Sequence, residues 1–301
     1  MKRVLVVGEP LIELLEEPVG TIRRGFGGDA LNLAVYLARE SPELHVMLGS
    51  AVGDDRDSDD LLSLCRDEGV DRAHVRRVAG ATLGRYRVTV DRSGERAFEY
   101  ERSESPFRGA LVGDDSLPDH GAIDVLCFSG ITVAVLHDAG RRALLAYATA
   151  VRGLGGMVVY DPNHRPALWA DDADAREWTT RIAPIADVLL ASAEDGRRLT
   201  DADAALEIAQ AFRAMGAREV VVTDGSGPCV VSSDRAVEAI EAVRAVEVMD
   251  TTAAGDAFDA GYIAARLRGA TPAKSAAAGH TLAATVVGHR GALAAPKRIG
   301  I

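Results

Sequence analysis

Short, continuously apolar runs alternate along the chain with longer stretches of helical periodicity. Residues 4–7, 125–128, 157–160, 188–190 and 220–222 are apolar at every position, as expected of strands buried on both faces of a parallel sheet. Between them, residues 139–151, 173–182 and 204–215 repeat apolar positions every three or four residues and predict amphipathic helices. The alternation predicts right-handed βαβ units in an α/β, doubly wound, mostly parallel sheet flanked by helices. Ligands of such sheets bind outside the carboxyl ends of the strands, at a topological switch point. Near the end, an apolar run at 243–249 predicts one more strand. Residues 250–289 then read as almost continuous helix, broken near 269–272.

One region departs from this rhythm. Residues 85–91 and 96–102 have strand patterns on either side of the turn residues 92–95, a hairpin signal. With residues 12–15 they predict a small accessory sheet, a lid formed roughly by 10–25 and 83–108. Side chains two apart on a strand share a face, which places Tyr100 and Arg102 together. No internal repeat or low-complexity linker interrupts the chain, so residues 1–301 are expected to form one domain.

Composition narrows the function. The 301 residues are 48% apolar, enough for a large core, and the formal net charge is −11. That charge argues against a nucleic-acid partner or an anionic membrane surface, but not against a small anion in a local basic pocket. No apolar stretch is long enough to span a bilayer, and no leader pattern opens the chain, so a cytoplasmic location is expected. Cys127 and Cys229 sit in apolar runs and read as buried hydrophobes. No metal-binding Cys or His spacing occurs.

The most informative string is Asp250-Thr251-Thr252-Ala253-Ala254-Gly255-Asp256, which opens the helical pattern at 254–267. A small-residue turn entering a helix presents unpaired amides to an anion. Asp256 in that turn would repel a phosphate unless it takes a proton from an attacking hydroxyl. Read alone, an acid there is also an ordinary helix cap. A second string, Arg24-Gly25-Phe26-Gly27-Gly28-Asp29, reads as a loop entering a helix at 30–40, with no strand before it. Its glycines permit close backbone approach, and Asn32 follows about one turn later. Arg165 lies in a turn after the strand at 157–160, placed to fork onto a carboxylate or phosphate. Ser192 and Asp195 follow another strand, where the acid can orient water bound to Mg2+. Thr223, Gly225 and Gly227 form a strand–turn segment that reads either as a plain hairpin or as a nucleotide-side loop.

Together these strings resemble the ribokinase-type (PfkB-like) sugar kinase family. The resemblance rests on Gly27-Gly28 with Asn32 and on the late Asp250-Thr-x-x-Ala-Gly-Asp256, and runs from Val4 to Pro296. Within the family the chain is most similar to bacterial 2-keto-3-deoxygluconate kinases, through Ile12-Glu13-Leu14, Tyr100-x-Arg102, Asn163-x-Arg165-Pro166-x-Leu168-Trp169, and Gly279-His280 through Arg290-Gly291-Ala292. The resemblance implies ATP and Mg2+ as cofactors, a ribokinase-like fold and a homo-oligomer. It implies Asp256 as general base on a primary hydroxyl, with the amides of Ala253, Ala254, Gly255 and Asp256 stabilising the transferring phosphoryl group. It implies Arg102 and Arg165 as carboxylate holders, with Gly28, Asn32, Tyr86 and Tyr100 lining the sugar pocket. Ser192, Thr223, Gly225, Gly227, Ala253 and Gly255 would face the nucleotide. Asp195 stands where the family commonly has a Glu, and would act on the metal indirectly. The alternatives are a kinase for a neutral sugar such as fructose or for a nucleoside, and a non-catalytic sugar-acid sensor on the same fold.

Overall fold

A computed structural model describes residues 1–16, 21–90, 96–112 and 117–294. The chain runs β1 (Arg3–Val7), β2 (Leu11–Glu16), β3 (Ile22–Gly27), α1 (Asp29–Glu40), β4 (His45–Val52), α2 (Arg56–Asp67), β5 (Val75–Arg77), β6 (Arg85–Val90) and β7 (Arg96–Glu101). It continues with β8 (Val125–Ser129), α3 (Gly130–Val135), α4 (Asp138–Gly153), β9 (Met157–Asp161), α5 (Asp172–Ile182), β10 (Val188–Ser192), α6 (Ala193–Leu199) and α7 (Ala205–Ala214). It ends with β11 (Val220–Thr223), β12 (Cys229–Ser232), β13 (Val237–Ile240), α8 (Ala254–Leu267) and α9 (Pro272–Val286).

The strands form two sheets. The larger has the order β13-β12-β11-β10-β9-β8-β1-β4-β5. It is parallel from β5 to β11, with antiparallel pairs only at β11–β12 and β12–β13. Side-chain alternation divides its core between two faces. Leu5, Val7, Leu126, Phe128, Val158, Tyr160, Val220 and Val222 pack with Leu144, Trp178, Ile208 and Phe212 of α4, α5 and α7. Val4, Val6, Val125, Cys127, Val159 and Val221 pack with Leu31, Leu61, Tyr262, Ile263 and Val286 of α1, α2, α8 and α9. Burial on both faces is why these strands read as unbroken apolar runs. Each fully buried Val or Leu contributes roughly 1.5–3 kcal/mol relative to exposure. The chain leaves β1 for β4 on one side and later returns to β8 on the other, so the switch point lies at the carboxyl end of β1.

The smaller sheet has the order β3-β2-β6-β7. Leu11, Leu15, Tyr86 and Val88 form its own apolar cluster. The turn at 92–95 lies outside the described residues, as does Pro296.

Two expectations are corrected. Residues 243–249 form no strand: the sheet ends at β13, and Val246 and Val248 are exposed. Arg244 and Glu247 interrupt that run, and among the described residues it pairs with no strand. Conversely, a strand does precede Gly28. Residues 22–27 pair along their whole length with β2 as β3, although exposed Arg23 and Arg24 hide the pattern.

Candidate active site

A cavity of about 770 Å³ opens at the carboxyl ends of β1, β9, β10 and β11, under the small sheet. Its floor is the start of α8, which several contacts fix in place. The Asp250 carboxylate accepts hydrogen bonds from the amides of Thr252 (2.8 Å) and Gly291 (2.8 Å). Farther along α8, Tyr262 and Arg266 both donate to Glu219, just before β11, at 2.7 and 2.9 Å. Helix α9 packs close against α8, where a Cβ on Gly279 would stand only 2.7 Å from the Phe258 carbonyl oxygen.

Ala253 caps α8 in the left-handed conformation, with φ 61°. A non-glycine residue there costs on the order of 1 kcal/mol. This turn aims the first amides of the helix into the cavity. The Ala254 amide reaches the Thr251 carbonyl at 3.2 Å. The Gly255 and Asp256 amides have no partner among the described residues. They lie at the positive end of the helix dipole, an arrangement that suits an anion.

Asp256 is partly buried in the same turn, and its Oδ2 accepts a hydrogen bond from Asn32 Nδ2 at 2.8 Å. Burial, reinforced by the nearby Asp29 carboxylate, pushes its pKa up to about 7, against the opposing pull of Asn32 and Arg165. A carboxylate poised near neutrality suits a general base. Asp161 and Asp259 line the same cavity. Burial raises both carboxyls well above the usual range, reinforced by Asp195 and Asp256 at Asp161 and by Asp161 and Asp256 at Asp259.

The other expected residues divide into two groups. Gly28, Asn32, Tyr86, Tyr100, Arg102, Arg165, Ser192, Asp195, Thr223, Ala253, Ala254 and Gly255 all line the cavity. Gly225 and Gly227 do not; they lie in the turn after β11. Gly28 has φ 107°, and any Cβ on it would collide with the Glu9 carbonyl oxygen. Tyr100 and Arg102 share a face as expected, the guanidinium lying 5.6 Å from the ring centre. Tyr86 donates its hydroxyl to Glu13 at 2.8 Å. Arg165 is exposed and donates to the His164 carbonyl at 3.0 Å. Asp195 accepts from the His164 amide at 3.0 Å. Among the described residues, no group of three or more acidic, His or Cys side chains converges to hold a metal.

Arg102 does not stand open. It forms a buried ion pair with Glu9, a residue that sequence reasoning passed over. Glu9, Asp161 and Asp259 were also legible in principle. The first two end apolar strands at the binding edge of the sheet, and Asp259 follows Asp256 by three residues on one helix face.

The fold and the arrangement at the start of α8 fit a phosphotransfer enzyme of the carbohydrate kinase type, and comparison with known proteins gives that class. Residues 1–298 match the pfkB family carbohydrate kinase profile, and the chain belongs to that family of sugar kinases. It is 35% identical to the 2-dehydro-3-deoxygluconokinase of Escherichia coli K12, over 97% of each chain. The PfkB protein of Polaromonas sp. JS666 superposes with a TM-score of 0.85 at 25% identity, covering 95% of this chain and 96% of that one. The fructokinase of Vibrio cholerae O395, solved with fructose, ADP and calcium, does so with a TM-score of 0.85 at 25% identity, over 97% and 94%. No described helix is long and apolar enough to cross a membrane.

Proposed function

We propose that the chain transfers the γ-phosphoryl group of ATP to the primary hydroxyl of a sugar acid, 2-keto-3-deoxygluconate, giving its 6-phosphate. The observation that carries this reading is Asp256 set among unpaired amides at the start of α8, within electrostatic reach of Arg165. The 35% identity to a 2-dehydro-3-deoxygluconokinase supports the substrate, and ADP bound to the Vibrio fructokinase supports the donor.

In this reading Asp256 removes the hydroxyl proton as that oxygen attacks the γ-phosphorus, and ADP departs from the opposite side. Asn32 holds the carboxylate toward the hydroxyl. The Gly255 and Asp256 amides donate to the phosphoryl oxygens as charge builds there. Arg165 and the Nε of Arg102 receive the substrate carboxylate, while Tyr86 and Tyr100 close the pocket. The few carboxylates on the nucleotide side, Asp195 and Glu194, suit Mg2+ held mostly by phosphates and water. That ion would supply charge neutralisation on the phosphates.

A neutral-sugar substrate is the second reading. One observation favours it: Glu9 already neutralises Arg102. The test is ADP release with Mg-ATP and a panel of 2-keto-3-deoxygluconate, its galactonate epimer, fructose, ribose and adenosine. Turnover confined to the keto-deoxy acids is expected. Turnover only on fructose, ribose or adenosine overturns the carboxylate assignment, and binding without ADP release marks a sensor.

A further inference from the structure

Seven buried side-chain polar atoms lack a hydrogen-bond partner among the described residues. Four of them, Glu9 Oε1, Asn32 Oδ1, Arg102 Nε and His164 Nδ1, belong to residues lining the cavity at the start of α8. An unmet buried polar atom costs about 1–3 kcal/mol, more when charged. Their concentration in one cavity describes what the cavity is built to receive. Two carboxylate or amide oxygens need donors, and a guanidinium Nε needs an acceptor. A ligand with hydroxyl groups beside an anionic group meets both demands.

Glu9 is the most constrained of the four. It follows β1 at the switch point and is 1% exposed. One carboxylate oxygen pairs with Arg102 Nη2, which fixes the rotamer. Ser105 stands near enough to help hold the charge, yet Oε1 itself has no partner. A Cβ on Gly84 would stand 3.3 Å from Oε1 and closer still to Leu11 and Arg102, so the missing side chain there is what lets Glu9 and Arg102 pack in this position.

We propose that Glu9 is a specificity-determining residue: its Oε1 accepts a hydrogen bond from a substrate hydroxyl between the anchored acid end and the phosphorylated end, while its other oxygen holds Arg102 toward the acid. This rests on the sugar-acid reading for the identity of the ligand, but the hydroxyl contact itself does not need the acid. It places stereochemical discrimination at the end of β1, because inverting the hydroxyl-bearing carbon turns the donor away from Oε1.

The test combines substrate analogues with variants. KM, kcat and calorimetric Kd are measured for 2-keto-3-deoxygluconate and its 4-deoxy and 5-deoxy analogues, with the wild type and with Glu9→Gln and Glu9→Asp. Glu9→Gln can still accept from Arg102 but presents an NH2 donor in place of Oε1. Glu9→Asp keeps the charge and withdraws the oxygen by one methylene. A charge-assisted hydrogen bond predicts a KM rise of about 10–100-fold for both variants on the full substrate, with kcat within about threefold. It also predicts that one deoxy analogue binds wild type and variants alike. Equal losses on every substrate reduce Glu9 to a structural support of Arg102 and overturn the proposal. If the variants do not fold, the wild type decides alone: unchanged affinity for both deoxy analogues overturns it, and a loss of about tenfold or more on one supports it. Should the wild type act only on a neutral sugar, the sugar-acid reading fails. The same comparison on that sugar's deoxy analogues still tests Glu9.

Discussion

Asp256→Asn separates the catalytic role of this carboxyl from its structural cost. Asparagine keeps the shape and can still accept from Asn32 Nδ2, which now lies 2.8 Å from Oδ2. Turnover should fall by about 10²–10⁴-fold with the loss of the base. Stability should move the other way. A carboxyl whose pKa rises from 3.8 to about 7 on folding binds its proton more tightly in the native state. Its favourable contribution is therefore present below pH 3.8 and is lost as pH rises through about 7. At about 1.36 kcal/mol per pK unit, the ionised form costs at most about 4 kcal/mol at pH 8 and about 2 kcal/mol at pH 5. Pocket water lowers both figures, so a gain of about 1–3 kcal/mol at pH 8, shrinking at pH 5, is expected for the variant. For a chain of this size that is a few degrees in Tm. Thermal unfolding of both proteins at the two pH values, beside ADP release, reads both effects. Turnover within about tenfold of wild type, or a variant less stable than wild type at pH 8, refutes the reasoning.

Other outcomes follow from the same geometry. The wild-type kcat/KM should climb about tenfold per pH unit below 7 and level off above it, as Asp256 loses its proton; a flat profile from pH 5.5 to 8.5 contradicts the base. Asp259→Asn removes one member of the buried pair with Asp161, and should raise Tm at pH 8 by about 2–5 °C while the gain narrows toward pH 5. Arg165→Ala should raise KM for acidic sugars by about 10–100-fold; an equal loss on fructose would show that the side chain does not read a carboxylate.

Much of this architecture was legible because the physics of a buried parallel sheet leaves little freedom. Strands covered on both faces must be apolar throughout, so β1, β8, β9, β10 and β11 stand out in the sequence. The Asp250–Asp256 string was legible for a different reason: a turn that presents bare amides excludes almost every large side chain. The small sheet was harder. Its β3 opens with exposed Ile22, Arg23 and Arg24 and buries only Gly27 fully, so no apolar alternation marks it. The 243–249 run misled because apolar residues predict burial only where a neighbour exists to bury them. In the site, position alone put single residues at the cavity, as for Arg165 after β9. Pairing was invisible: nothing in the spacing of Glu9 and Arg102, 93 residues apart, announces that they meet.

That pairing changes how the pocket must be understood. Glu9, Asp29, Asp161, Asp195, Asp256 and Asp259 crowd a cavity that in the proposed reaction also has to accept a triphosphate and a carboxylate. Such a concentration of acid is unfavourable for folding, as the raised carboxyl pKa values of Glu9, Asp161, Asp195, Asp256 and Asp259 show. Ala253 adds backbone strain at the same place. These costs are offset by the two faces of the large apolar core, and their location is informative. Burial and the Asp29 carboxylate disfavour the ionised form of Asp256, and Asn32 and Arg165 favour it, so its position near neutrality reflects burial set against two opposing contacts. An anionic substrate that engages Arg165 weakens one of the two groups lowering that pKa. In the proposed reaction, binding of the acid end would therefore make Asp256 a stronger base once the hydroxyl is in place, and so would couple recognition of the carboxylate to proton removal at the other end of the substrate.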